Sequence, residues 1–225
     1  MPRYPGISPK AWEHPADSAA LSTVRAIPWL DEVVCQTIGR FNEQGLRRKF
    51  IKGVKPVSDI NRTRVHRLYR EGIDCFDVDN PPLLYVVKMP GINAAAVGMD
   101  RPFIVLSEMA TEKLDDDGVK MVLAHEIGHV LSGHVVYKTT LRLLVSFGWM
   151  MLRVPTAWPV MLGIQAALIA WNRKSELSAD RAGALMMGAV APAIAVERQI
   201  ETFNEALMDQ NAGTAQSVAK VMRVF

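Results

Sequence analysis

The segment His125-Glu126-Ile127-Gly128-His129 constrains the fold of this chain more than any other. Its two histidines are four residues apart, so on an α-helix they lie about 40° apart around the axis and one turn apart along it. Both imidazoles then leave one face and offer two nitrogen ligands to one small cation. The segment must therefore be helical, and its ligand face needs a second element opposite to complete the coordination. Glu126, beside the first histidine, can reach a water on that cation as a general base. Such a combination reads as a zinc hydrolase, most often one acting on peptide bonds.

The flanking residues support the helix. Asp115-Asp116-Asp117 precedes it, and aspartates there cap exposed backbone N–H groups and suit the positive end of the helix dipole. Val119, Val122, Leu123, Ile127, Val130 and Leu131 form one apolar stripe, while Met121, Ala124, His125, Gly128, His129 and Ser132 fall on the opposite face. A histidine pair buried only for packing belongs in the stripe. These two sit instead among small residues, which allow another element to approach closely.

Two histidines and a catalytic water leave room for one more protein ligand on zinc. His134 lies about 140° around a continuous helix from His129, so it joins the site only if the helix breaks. Otherwise it is a surface histidine or one that supports a ligand from behind; His14 and His66 have no partners in sequence. Ser175-Glu176-Leu177-Ser178-Ala179-Asp180 is the better source. Glu176 and Asp180 share a helical face with Gly183 and Ala184, suited to packing against the histidine face. Glu176 is then the third ligand, and Asp180 holds a ligand histidine by its distal N–H. The competing reading is a helix start capped by Ser175 with solvated acids.

Asn93-Ala94, His125-Glu126-Ile127-Gly128-His129 and Glu176 through Asp180, in that order, resemble the HtpX-like and CAAX-prenyl-protease-like gluzincin metallopeptidases. The resemblance runs roughly from Leu83 to Gly188. It implies zinc ligands His125, His129 and Glu176, one zinc ion per chain, Glu126 as catalytic base, and a strand near Asn93 to Val97 bordering the cleft. The expected fold is α+β and mainly helical: a gluzincin core with a small sheet beside the zinc-binding helix and an apolar helical hairpin insert.

Elsewhere, periodicity and breakers predict a short helix near Pro15–Arg25 and helices over Leu30–Gln44 and Ile60–Gly72. Strands are predicted over Leu83–Lys88, Ile92–Gly98 and Phe103–Ser107. Residues 1–80 read as an N-terminal helical segment packing on a core formed by 81–225. The insert, about 141–171, is rich in Leu, Val, Met, Ala and Trp but interrupted by Pro155 and Pro159. It must double back as a hairpin to return Glu176 to His129, with Arg153 at its tip and Lys138, Arg142, Arg173 and Lys174 around its base. Burial in the protein or a homo-oligomer, insertion into a membrane interface, and a short spanning hairpin compete as its environment. A basic stretch over 47–70 has one acid, Asp59, among nine lysines and arginines. It reads as a solvated helical face or an attraction to anionic membrane.

A net charge of +3 with no nucleic-acid-binding signature argues against a nucleic-acid partner. Two cysteines, Cys35 and Cys75, outside any Cys-x-x-Cys pair exclude a thiolate zinc site or disulfide framework. The start, Met1-Pro2-Arg3-Tyr4-Pro5-Gly6, has no signal-peptide-like apolar run, so the expected location is cytoplasmic, free or on the cytoplasmic face of a membrane. The expected activity is zinc-dependent endopeptidase action on extended or misfolded protein and peptide segments. Substrate would add as a strand beside Asn93, Ala94 and Ala95, with Arg181 or His134 as candidate oxyanion donors. The alternatives are a zinc-containing protein-binding or chaperone-like scaffold and hydrolysis of a non-peptide amide.

Overall fold

A computed structural model describes residues 2–28, 30, 43–51, 53–147 and 158–210. After a 3-10 turn at Pro9–Ala11, helix α1 spans Pro15–Arg25, and α2 spans Glu43–Ile51. Proline at the first position suits α1, because its missing N–H would have had no intrahelical partner, and His14 accepts from the Ala16 N–H at 3.1 Å. The predicted helix over Leu30–Gln44 falls almost entirely on residues 31–42, outside the described ones.

Helix α3, Thr63–Cys75, buries Val65, Leu68, Tyr69 and Ile73 on one face. Its arginines take the other face and meet acids: Arg64 and Arg67 both pair with Asp116, and Arg67 with Glu71. Much of the basic stretch is thus balanced by partners within the fold.

Strands β1 (Leu83–Val87), β2 (Ala94–Val97) and β3 (Phe103–Ser107) form one sheet in the order β1-β3-β2. β1 runs parallel and β2 antiparallel to β3. β3, paired on both sides and buried throughout, is the run Phe-Ile-Val-Leu-Ser expected of a strand covered on both faces. β2 is left as an edge.

Ser107 caps helix α4, Glu108–Lys113, and Asp115 caps α5, Asp116–Leu131, by accepting from the Gly118 N–H at 2.8 Å. The stripe of α5 packs with Leu68 and Ile73 of α3 and with Leu84, Ile104 and Leu106 of the sheet, in the largest apolar core. Gly133, at φ +70°, ends the helical run. That left-handed conformation, which favours glycine, turns the chain into α6, Val135–Phe147.

Helix α7 covers Trp158–Met187, and α8 covers Val190–Gln210 beyond a 118° bend at Gly188. The apolar insert comprises α6 and the first half of α7; its tip, including Arg153, lies outside the described residues. Leu141, Leu144, Ile164, Leu168 and Trp171 close a second core with Val24 and Leu30. Val160, Leu162 and Ile169 of the same insert are 46%, 45% and 39% exposed. Among the described residues no single helix is long and apolar enough to cross a membrane; the bent α7–α8 pair meets the criterion by length and composition.

Candidate metal centre

The centre forms where α5 crosses α7. A Cβ placed on Gly128 would stand 2.6 Å from the Ala182 Cβ and 3.6 Å from the Ala179 Cα. Only glycine permits this approach, and it carries the side chains one turn along each helix into contact. His125 Nε2 lies 3.2 Å and His129 Nε2 3.4 Å from Glu176 Oε2. One donor atom from each of the three residues falls within 4.8 Å of the others.

This donor set, two imidazole nitrogens and a carboxylate oxygen, fits one divalent cation. Lys138 of α6 supplies the electrostatic evidence. Its Nζ sits 2.9 Å from His129 Nε2 and 2.5 Å from Glu176 Oε1, so positive charge is accepted between two of the three donors.

Both histidines are held from behind. His125 Nδ1 lies 3.0 Å from Asp180 Oδ1, an acid one turn beyond Glu176 on α7. His129 Nδ1 lies 3.0 Å from His134 Nδ1, whose Nε2 lies 3.0 Å from Asp17 Oδ2. The break at Gly133 makes that contact: on a continuous helix His134 would point elsewhere, but here it folds in behind His129. Asp17, on the first turn of α1, also accepts from Trp171 Nε1 at 2.9 Å and Ser178 Oγ at 2.6 Å.

Glu126 points toward the sheet and accepts from the Ala96 N–H at 2.6 Å through Oε2. The Ala96 carbonyl accepts from Arg142 Nη1, also at 2.6 Å. Both Ala96 backbone groups therefore face away from β3. Three residues before, the Asn93 carbonyl is bonded to the Ser107 N–H of β3. By the alternation of an antiparallel ladder Asn93 and Ala95 turn toward β3, while Ala94 and Ala96 turn to the open edge. Asn204 of α8 bonds both the N–H and carbonyl of Ile92, at 2.8 and 3.0 Å. The Ala94 amide lies between that clamp and the Glu126 contact.

The charges are strongly coupled. Burial works against a charged His125, but hydrogen bonds to Asp180 and Glu176 outweigh it and push its pKa up to about 10. Burial and then Lys138 drive His129 well below the ordinary imidazole range. Glu176 resists burial because Lys138 and the histidines hold it far below the usual carboxylate range. At Asp17 burial is likewise overcome, by the His134, Ser178 and Trp171 hydrogen bonds, and its pKa is lowered.

The structure thus brings together His125, Glu126, His129, Glu176 and Asp180, and runs β2 beside them. It does not bring Arg181 into this group: Arg181 is exposed and donates to the Glu13 carbonyl at 3.2 Å. His134 stands behind His129. Asp17 escaped the sequence reading because an acid in a first helical turn looks like ordinary dipole compensation. Lys138 and Arg142 carried a usable signal: two cations one turn apart on a helix whose remaining positions are mostly apolar.

The sequence model of peptidase family M48 matches residues 59–209. The chain is 30% identical over 184 residues to the plastoglobule-localized metallopeptidase 48 of Arabidopsis thaliana, covering 78% of this chain and 51% of that protein. It is 25% identical over 181 residues to a Bacillus subtilis protein named protease HtpX homolog, covering 69% and 59%. A Helicobacter pylori (strain Shi470) protein of the same name is 34% identical over 101 residues, covering 44% and 32%. The chain thus spans between a third and three fifths of the length of these relatives. No solved structure gives a significant match.

Proposed function

The chain belongs to peptidase family M48, and on that premise we propose that it is a zinc-dependent endopeptidase acting on extended or misfolded protein segments. One observation carries the reading: His125, His129 and Glu176 converge within 4.8 Å while Glu126 stands next to the first of them on α5. Those three residues would hold one zinc ion, which when bound would supply a water of lowered pKa and polarise the scissile carbonyl.

The remaining steps belong to the chain's own residues. Glu126 has Oε2 bonded to the Ala96 amide, so Oε1 takes the proton from the attacking water. The same oxygen returns that proton to the departing amine nitrogen. Asp180 fixes the His125 ring with Nε2 toward Glu176, and Glu126 is kept from rotating by its backbone partner. An extended substrate aligns along β2 at Ala94, the position between the Asn204 clamp and Glu126. Backbone pairing gives affinity with little demand on side-chain identity, which suits unstructured segments. Arg181 and His134, candidates for steadying the oxyanion, are engaged by Glu13 and by the His129–Asp17 pair respectively, and no step is assigned to them.

Attachment to an anionic membrane surface belongs to the same reading, supported by the outward Val160, Leu162 and Ile169 and the net charge of +3. Co-sedimentation with anionic vesicles tests it, and failure to bind them removes it.

The deciding experiment is digestion of casein by wild type, by wild type with chelator, and by Glu126→Gln. Chelation should abolish cleavage, and Glu126→Gln should reduce it by about 10²–10⁴-fold while retaining zinc. Undiminished cleavage by that variant would overturn the proposal.

A further inference from the structure

We infer that Asp17 and His134 are positioning residues for His129, so that the metal centre is completed by the amino-terminal helix α1. The inference rests on the zinc-ligand reading above but not on proteolysis. Asp17 lies ahead of residues 59–209, the span that the family model matches.

The argument begins with tautomers. His129 directs Nε2 at Glu176 Oε2, and that nitrogen must keep its lone pair to bind a cation. Its proton therefore sits on Nδ1, which faces His134 Nδ1 at 3.0 Å. Two ring nitrogens at that distance bond only if one donates and the other accepts. His134 Nδ1 accepts, so its own proton is on Nε2, aimed at Asp17 Oδ2 3.0 Å away. Each ring thus fixes the next, and the carboxylate at the end fixes them all.

Burial makes the arrangement specific. His129, His134 and Asp17 are all 1% exposed or less, so no solvent can substitute for a lost partner. Trp171 Nε1 also donates to Asp17 Oδ1 and Ser178 Oγ to Asp17 Oδ2, so this carboxylate is held within a buried hydrogen-bond network. The three donors to this buried carboxylate are thus His134, Trp171 and Ser178. A buried carboxylate tied to a metal ligand through an imidazole raises the ligand's basicity and holds its ring plane. The two ligand histidines are thus supported differently: His125 directly by the partly exposed Asp180, His129 through an extra ring by Asp17 in the interior.

Asp17→Asn is the decisive variant, because it keeps the shape and replaces the acceptor. If the amide presents its NH2 to His134, the His134 proton moves to Nδ1 and opposes the His129 Nδ1–H. Zinc affinity of the full-length protein, measured by chelator competition, should fall by about 10–100-fold. The variant's kcat should fall with KM within about twofold of wild type, since the change acts through a ligand rather than at β2. Trp171→Phe and Ser178→Ala remove bonds to the same carboxylate without altering its charge or its His134 contact. They should lower the melting temperature but shift zinc affinity less than threefold. Equal zinc affinity in wild type and folded Asp17→Asn overturns the inference, as does an equal loss in the two control variants.

Histidine 15N NMR of the zinc-loaded wild type provides the second measurement if Asp17→Asn does not fold. The expected pattern is a proton on Nδ1 of His129 and on Nε2 of His134. A proton on Nδ1 of His134 overturns the relay. Wild-type cleavage by Glu126→Gln would sink the peptidase mechanism while leaving both of these readouts intact.

Discussion

Glu126 Oε2 and the Ala96 amide nitrogen are 2.6 Å apart, which moors the proposed base on α5 to the edge strand of the sheet. The tie is reinforced from the other side of the same residue, where the Ala96 carbonyl accepts from Arg142. Helix α5, strand β2 and helix α6 therefore meet at a single backbone unit. A shift of β2 relative to α5 would move Glu126 away from the place of the attacking water in the proposed mechanism.

Arg142→Met tests that coupling. Arg142 is almost fully buried, and burial lowers its pKa against the pull of Glu126 and Glu176. Removing the guanidinium leaves those carboxylates short of positive charge, at a cost of about 3 kcal/mol. Urea unfolding should register that loss, and kcat on casein should drop at least tenfold. Retention of both stability and kcat would show that the guanidinium contact is dispensable.

Gly128→Ala should separate the two ligand helices. The added methyl meets the Ala182 Cβ at 2.6 Å, and a small helical residue has no flexible end to swing aside. Overpacking of this kind costs about 1–3 kcal/mol. Because His125 and His129 are on one helix and Glu176 on the other, the same displacement should weaken zinc binding. Thermal unfolding and zinc stoichiometry check the two effects together. A variant with wild-type melting temperature and full zinc would contradict the packing described here.

Cys75 is fully buried, and burial pushes its thiol up to about 11. Little reactive thiolate is present near neutral pH. Site-resolved mass spectrometry after iodoacetamide treatment should find Cys75 unmodified in native protein and modified in urea. Rapid native labelling at that site would indicate an opening of the α3 packing.

Glu197 of α8 links stability to pH. Burial and then the Asp180 charge raise its pKa to about 6, from an ordinary value of 4.5. Between those values the folded protein binds more protons than the unfolded chain, so stability falls as pH rises. The contribution is fully present below pH 4.5 and lost as pH passes 6. Glu197→Gln should flatten this part of the stability–pH curve, which a series of melting temperatures between pH 4 and 7 would reveal. An unchanged slope would remove Glu197 as its source.

Part of this architecture is legible in the amino-acid sequence. Convergence of His125, His129 and Glu176 was legible because helical periodicity assigns residues to faces and the small residues mark where two faces touch. The three strands were legible from their breakers, and β3 from its unbroken apolar run. His134 was not: its place depends on the left-handed turn at Gly133, which a helix projection of the sequence ignores. Asp17 and Trp171 are separated by 154 positions, and nothing local to either announces the other. The insert also mixes environments within one composition, with Leu168 and Trp171 interior and Val160 and Leu162 outward. Hydropathy alone assigns them the same fate.

Lys138 competes with the proposed zinc ion for its ligands. Its Nζ bonds His129 Nε2 and Glu176 Oε1, and these residues are two of the three proposed to hold the ion. Lysine and zinc therefore draw on the same lone pair at His129, and their like charges repel across a buried site where screening is weak. Lys138→Met keeps the length and apolar stem of the side chain but removes the competitor. Zinc affinity by chelator competition should tighten by about tenfold, equivalent to about 1.4 kcal/mol. Chelated Lys138→Met should unfold more easily than chelated wild type, because Glu176 loses its nearest cation. If zinc instead binds Lys138→Met more weakly, the ammonium helps by holding Oε1 and leaving Oε2 as the ligand oxygen. That result would reverse the sign of the role assigned to Lys138.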